Sequence, residues 1–375
     1  MIKSINKQDF LAAITTAATA TERRTTLPIL ENLMLKSDGC RLTVTGTDLQ
    51  SQIQTSMSFG TATDDAIAVC IPTAKLISLV KLCPDDANLE LDDSTPDRVI
   101  VKYGRSRFNL SALPVENFPA FEADGQFASI EIPTITLFEH LYSTITFAAR
   151  DDVRHYLCGV YLSLNGDDLV TAASDGHHLA RCASKIEKQG QEIEIIIPSA
   201  RVDQLIKLIS AQLKTGKDQL TRIGFHDRSL SVNVDADTGY KTKLLEGRFP
   251  DINRVIPKDS ETITTVRLDK KDTIAAINRC QLILEKTDPI KLEINENGCS
   301  IRSSNKHSET ADEQLTAVSH DGQSISLGLN PRLILDSLNQ IDHEHVILKI
   351  NDCNTITVLD PENPNWLAIV MPMGI

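Results

Sequence analysis

The chain has 375 residues, 41% hydrophobic and 24% charged, with a formal charge of −13. One hydrophobic core does not serve that length, whereas three domains of about 125 residues each would be of ordinary size; no apolar run is long enough to span a bilayer, and Met1-Ile2-Lys3-Ser4-Ile5-Asn6-Lys7 lacks the apolar stretch of a secretion signal. The eight cysteines occur singly with no CxxC, which argues against a zinc framework and favours reduced, buried thiols in a cytosolic protein.

The first predicted element is a helix from about Asp9 to Ala20, with Phe10, Leu11 and Ile14 on its apolar stripe. A basic loop, Thr21-Glu22-Arg23-Arg24-Thr25-Thr26, follows, and Leu27-Pro28-Ile29-Leu30 leads into strands. Arg41–Leu49 reads as a strand entering a turn at Asp48. After Ile71-Pro72 comes a helix with Lys75 and Lys81 and no acid before Pro84; then Asp85, Asp86, Glu90, Asp92, Asp93 and Asp97 crowd together. The unit closes at Phe118-Pro119.

The same plan then repeats. A helix from about Thr136 to Ala148 precedes Arg150-Asp151-Asp152-Val153-Arg154-His155-Tyr156-Leu157. The stretch Leu169–Ala180 alternates as a strand, breaks at Asp175-Gly176 and resumes, which is a hairpin whose turn calls for the positive φ that glycine tolerates. Ile197-Pro198 leads into a helix over Ser199–Leu213 with Arg201 and Lys207, plus Lys214 just beyond it, against Asp203. Phe249-Pro250 closes the unit. In the third unit a helix begins near Lys270, with Lys271, Arg279, Ile274, Ile277 and Leu282. Gly298–Asn305 is a weaker copy of the strand and turn, Asn330-Pro331 opens a helix with Arg332 and Asp336, and Met371-Pro372 closes the chain.

Asp48, Asp175 and Asn305 are 127 and 130 residues apart, and the three proline landmarks are 126 and 133 apart. Three landmarks in one order at one period mean three similar domains. We place them at 1–126, 127–258 and 259–375, with junctions in the polar stretches Asp124–Phe127 and Pro257–Thr262. The net charge argues against a nucleic-acid partner only on average, because binding depends on the local patch and the basic residues concentrate on helices.

Two classes of function compete at this level: a conventional, non-enzymatic DNA-binding scaffold and a metal-dependent hydrolase centred on Asp175 and His177. Adjacent strand residues point to opposite faces, so His177 and His178 do not readily share a ligand sphere. No glycine-rich phosphate loop or G-x-S-x-G elbow is present. By residue type alone, Met371 and Met373 read as ordinary core, and any one lysine reads as a solvated helix face as readily as a DNA contact.

Several local motifs carry a resemblance that spans essentially the whole chain. They are Thr26-Leu27-Pro28-Ile29-Leu30, Thr45-Gly46-Thr47-Asp48-Leu49, Gly104-Arg105-Ser106-Arg107-Phe108, Asp152-Val153-Arg154, Asp175-Gly176-His177, Glu246-Gly247-Arg248-Phe249-Pro250-Asp251 and Met371-Pro372-Met373. In this order the chain resembles the bacterial DNA polymerase III beta subunit family, the sliding clamps. The resemblance implies an α+β protein with three similar domains of the DNA-clamp fold, helices lining the inside and antiparallel sheets outside, in a ring-shaped head-to-tail homodimer. It implies a processivity factor that encircles double-stranded DNA without reading sequence, with no catalytic site, cofactor or metal.

The implied DNA-facing residues are Arg24, Lys75, Tyr156, Arg201 and Lys207. The implied client cleft comprises Leu157, Ser174, Gly176, His177, His178, Leu179, Pro250, Arg254, Val255, Ile369, Met371, Pro372 and Met373. Its clients in the family are the DNA polymerase III catalytic subunit, the clamp loader, and other polymerases and repair proteins that carry clamp-binding motifs. Unbranched thioethers suit a groove with many clients. The implied dimer contacts are Phe108 and Leu110 on one side and Leu282 and Ile283 on the other. Two positions depart from the family: His178 stands where arginine is common, and Gly374-Ile375 replaces an arginine-leucine end. The family cleft is therefore expected here with an altered rim.

Overall fold

A computed structural model describes every residue except 1, 23–24, 39, 59–65, 122–124, 126–127, 188–191, 217–219, 286–287, 297, 354 and 375. The described chain has six α-helices: α1 Lys7–Ala18, α2 Thr73–Leu82, α3 Thr134–Ile145, α4 Ser199–Leu213, α5 Lys270–Cys280 and α6 Pro331–Leu338. α1 starts two residues before the sequence-based position because the side chain of Asn6 caps it, accepting from the amides of Gln8 (2.9 Å) and Asp9 (3.2 Å). Asp269 and Asn330 cap α5 and α6 in the same manner. Only Pro331 occupies the first helical turn. Pro72 is itself the cap residue and Pro198 ends a strand, so those two prolines mark where a strand stops, not where a helix starts.

The chain groups into two compact units, residues 1–138 with 203–244 and residues 139–202 with 245–375. The first unit holds two antiparallel sheets. One has four strands in the order Ile2–Asn6, Asn88–Asp92, Arg98–Tyr103, Ser106–Ser111. The other has eight, and in it Ser51–Ser58 pairs with Thr238–Lys243, Ile53 opposite Tyr240. Ser51–Ser58 alternates buried and accessible residues, as a half-buried strand should. The core of this unit joins Phe10 and Ile14 of α1 and Leu76 and Val80 of α2 to Leu33, Leu35, Leu42, Val44, Val99 and Val101 on the strands.

The second unit is built alike. Its four-stranded sheet runs Thr310–Leu315, Gly298–Ser304, Ile290–Asn295, Ile325–Leu329. Its nine-stranded sheet joins His178–Lys185 to Asn363–Val370, with Leu179 opposite Ile369. In both units a hydrogen-bonded sheet therefore crosses from one repeat into the next. The three repeated turns use one device. The side chains of Asp48, Asp175 and Asn305 each accept two backbone amides a few residues ahead, at 2.7–3.1 Å.

All eight cysteines are free; Cys40 and Cys353 are exposed, so burial does not extend to every thiol. Among the described residues no helix is long and apolar enough to cross a membrane.

Candidate functional site

The hairpin turn at Asp175 organises the site. Asp175 Oδ1 accepts from the amides of His177 (2.8 Å) and His178 (2.9 Å) and lies 2.8 Å from His178 Nδ1. Burial pushes the Asp175 carboxyl up, but these three donors outweigh it and hold it far below the usual carboxylate range. Gly176 has φ +91°, which favours glycine, and a Cβ there would fall 2.9 Å from Nη2 of Arg154 and push that side chain aside. Arg154 reaches the turn as a strut: it grips Asp152 at 3.0 and 2.8 Å and donates to the Asp175 carbonyl at 3.1 Å. That hydrogen-bonded pairing lowers the Asp152 carboxyl to about 2. The segment Arg150–Leu157 is thereby clamped against the hairpin.

The other walls come from later in the chain. Phe249 stacks on Tyr161, ring centroids 5.0 Å apart, and packs with Leu157, Leu179, Ile252 and Ile369 in one apolar cluster. The short turn Ile252–Arg254 is capped by Asp251 and presents Ile252 and Val255. After the strand Asn363–Val370, the Met371 amide donates to the His177 carbonyl at 3.0 Å, bringing the end of the chain to the hairpin.

These pieces enclose a cavity of about 160 Å³. Of the thirteen residues expected at the cleft, Leu157, Ser174, Gly176, His177, His178, Leu179, Pro250, Val255, Ile369 and Met371 line it. Pro372 and Met373 do not; they line an adjoining hollow of about 660 Å³ with Arg150, Arg332 and Asp336. Arg254 lines neither, its side chain 85% exposed and 3.3 Å from Asp251. Tyr156, expected at DNA, lines the cavity together with Arg154, Phe249 and Ile252. Those last three were missed as cleft residues, although Phe249 recurs beside a proline at the end of a repeat and was legible as a landmark.

A hydrolase centred on Asp175 and His177 does not assemble. The Asp175 side chain pairs with the ring of His178, whereas His177 offers Asp175 only its backbone amide and is itself exposed. His178 is buried against Phe147, ring centroids 4.6 Å apart. Among the described residues no group of three His, Cys, Asp or Glu side chains is placed to hold a metal ion.

Lys75 on α2 and Lys207 on α4 are exposed, and Arg201 on α4 is half-buried. Arg24 lies outside the described residues. Phe108, stacked on Tyr103 at 6.1 Å, and the half-buried Leu110 sit on Ser106–Ser111, an edge strand of its sheet. Leu282 and Ile283 form a short turn following α5, and Leu282 is 84% exposed.

Repeats fused through shared antiparallel sheets, each with its helices, and an apolar cleft where the second repeat meets the third define a clamp-type scaffold. Models of the DNA polymerase III beta subunit match the chain in order: the N-terminal domain over residues 1–122, the central domain over 131–251 and the C-terminal domain over 253–374. The beta sliding clamp of Pseudomonas aeruginosa is 30% identical over 378 aligned positions covering 99% of each chain, and that of Haemophilus influenzae is 28% identical over 374, again 99% of each. The crystal structure of a Pseudomonas aeruginosa sliding clamp bound to griselimycin superposes with a TM-score of 0.92 at 28% identity, covering 99% of both chains. The chain belongs to the DNA polymerase III beta subunit family, whose members are sliding clamps, processivity factors and not enzymes.

Proposed function

We propose that two copies of this chain close head to tail into a ring around duplex DNA in the cytoplasm, with domain junctions near residues 126 and 258. In this reading the cleft tethers the DNA polymerase III catalytic subunit, the clamp loader, and other polymerases and repair proteins through short peptide segments. Two sheet edges support closure. Ser106–Ser111 offers Phe108, with Arg105 and Arg107 exposed beside it; Thr310–Leu315 is the edge of a different sheet, its Asp312 and Glu313 already paired with Arg302 and Arg279 of the same chain. Open edges on two different domains allow a heterologous contact, and two such contacts close a ring. Leu282 and Ile283 supply the apolar part of the second surface. Lys75, Arg201 and Lys207, with Arg24, are proposed to face DNA phosphates, which position a protein without reading bases. Tyr156 is reassigned to the cleft.

The cavity carries the tethering reading. It is small, apolar at its floor and rimmed by His177 and Met371, a form suited to one or two apolar side chains of an extended peptide. Griselimycin, bound by the Pseudomonas aeruginosa relative, is the probe. Val255 is 37% exposed at the cavity, so Val255→Asp places a charge there without entering the core. Calorimetry should show griselimycin binding to the wild-type chain and at least about a tenfold loss in the variant. Equal affinity in both would overturn the assignment.

A further inference from the structure

We propose that His178 is a proton-dependent positioning residue of the cleft, an imidazolium that ties the hairpin turn through Asp175 to α6 through Asp336, so that clients bind the proton-loaded form. The proposal rests on the cleft reading above.

The ring of His178 is 5% exposed and has its two nitrogens in unlike settings. Asp175 already accepts two amides and is an ionised acceptor, so Nδ1, 2.8 Å away, carries a hydrogen. The state of the ring therefore depends on Nε2. This atom is buried, has no hydrogen-bond partner among the described residues, and stands 3.9 Å from Asp336 Oδ2. In a neutral ring its lone pair faces that carboxylate, an unsatisfied and repulsive pairing out of reach of water. With one more proton the same atom becomes a charged donor between two carboxylates, and a closure of about 1 Å makes a normal hydrogen bond.

The other charges around the ring are accounted for. Arg332, also on α6, lies 3.8 Å from Asp336, and Arg150 adds a second favourable charge from the segment after α3. Burial raises the Asp336 carboxyl, and the facing ring, Arg332 and Arg150 work against that rise. Arg154 is committed to Asp152 and the Asp175 carbonyl, and Asp151 lines the same hollow. Phe147 covers one face of the ring, and the strand Asn363–Val370 presents Val370 opposite His178.

The bridge joins the parts that shape the cleft rim. Gly176 and His177 belong to the turn that Asp175 holds. The chain end is fastened to that turn by the Met371 amide and to Gly328, just before α6, by the Met373 amide at 2.8 Å. A proton on the pair draws α6 and the chain end toward the turn; its loss sets Asp336 against the ring and loosens the rim. Client affinity therefore falls as pH rises.

The test is griselimycin binding to the full chain by calorimetry from pH 5.5 to 9, in buffers of different ionisation heat. We expect proton uptake on binding, with affinity falling by up to about tenfold per pH unit where one proton is linked. His178→Gln and Asp336→Asn should bind with a flat pH profile, while His177→Asn, which removes the exposed neighbouring imidazole, keeps the slope. A flat wild-type profile that is still sensitive to Val255→Asp overturns the proton link and leaves the cleft standing. A slope that survives His178→Gln, or vanishes in His177→Asn, overturns it as well. Absence of binding at every pH overturns both readings.

Discussion

Leu179 and Ile369 face each other in register on neighbouring antiparallel strands, and both are buried. One belongs to the second repeat and the other to the third, so the floor of the cleft is a shared sheet. Neither repeat builds it alone. Apolar reach into the cleft is then supplied by Met371, two positions beyond Ile369 and on the same face of the extended chain.

Met371→Ala should weaken griselimycin binding by about 1–2 kcal/mol, roughly five- to thirtyfold, from lost apolar contact. Met373→Ala should cost less, because Met373 lines the adjoining hollow and not the cavity. Calorimetry on both variants checks the order; a larger loss for Met373 would contradict it.

His140 is 2% exposed and hydrogen-bonds Thr171 (3.2 Å) and Ser184 (2.8 Å). Burial, reinforced by Arg181, lowers its imidazole to about 4. Between this value and about 6.5 the unfolded chain binds the extra proton and the folded chain does not, so stability falls as pH drops through that window. We expect a loss of about 2–3 kcal/mol from this group between pH 7 and pH 4.5. Urea unfolding at the two pH values checks it, with His140→Gln showing the smaller difference.

Asp48 is the first repeat's counterpart of Asp175, accepting from the Gln50 amide at 3.0 Å and from the Ser51 amide at 2.7 Å. Asp48→Ala should cost about 1–3 kcal/mol of stability in urea unfolding, the range for hydrogen bonds to a charged acceptor. Griselimycin affinity should be unchanged, since this turn lies in the other compact unit.

Leu282 is 84% exposed, more than a core residue would be. Leu282→Asp should leave the circular dichroism spectrum and urea midpoint of the monomer intact while shifting sedimentation velocity from dimer to monomer at micromolar concentration. A dimer that persists would remove Leu282 from the proposed interface.

The repeat and its turns were legible because their causes are local. An Asx residue ahead of free amides, a proline where a strand ends, and a 3.6-residue apolar stripe all act within a few residues. The pairing of Ser51–Ser58 with Thr238–Lys243 was not legible, since alternation shows which face is buried but not which strand lies alongside. Asp336 beneath His178 escaped notice for the same reason: a distant helix brings it there. Tyr156 was placed at DNA by the resemblance; its packing beside Phe249 and Ile252, far along the chain, was not legible from the residues around it. The resemblance put Met373 in the cleft together with Met371; both line the larger hollow, but only Met371 reaches the smaller cavity.

Enclosure, and not attraction, is what would hold this protein on DNA. The most direct measurement loads the protein with its clamp loader onto nicked circular duplex DNA, washes at raised salt, and follows the bound fraction before and after a single cut linearises the circle. A closed ring predicts retention on the intact circle and rapid loss once ends exist. Equal loss from circle and line, falling steeply with salt in both, would identify a conventional DNA-binding protein and contradict it.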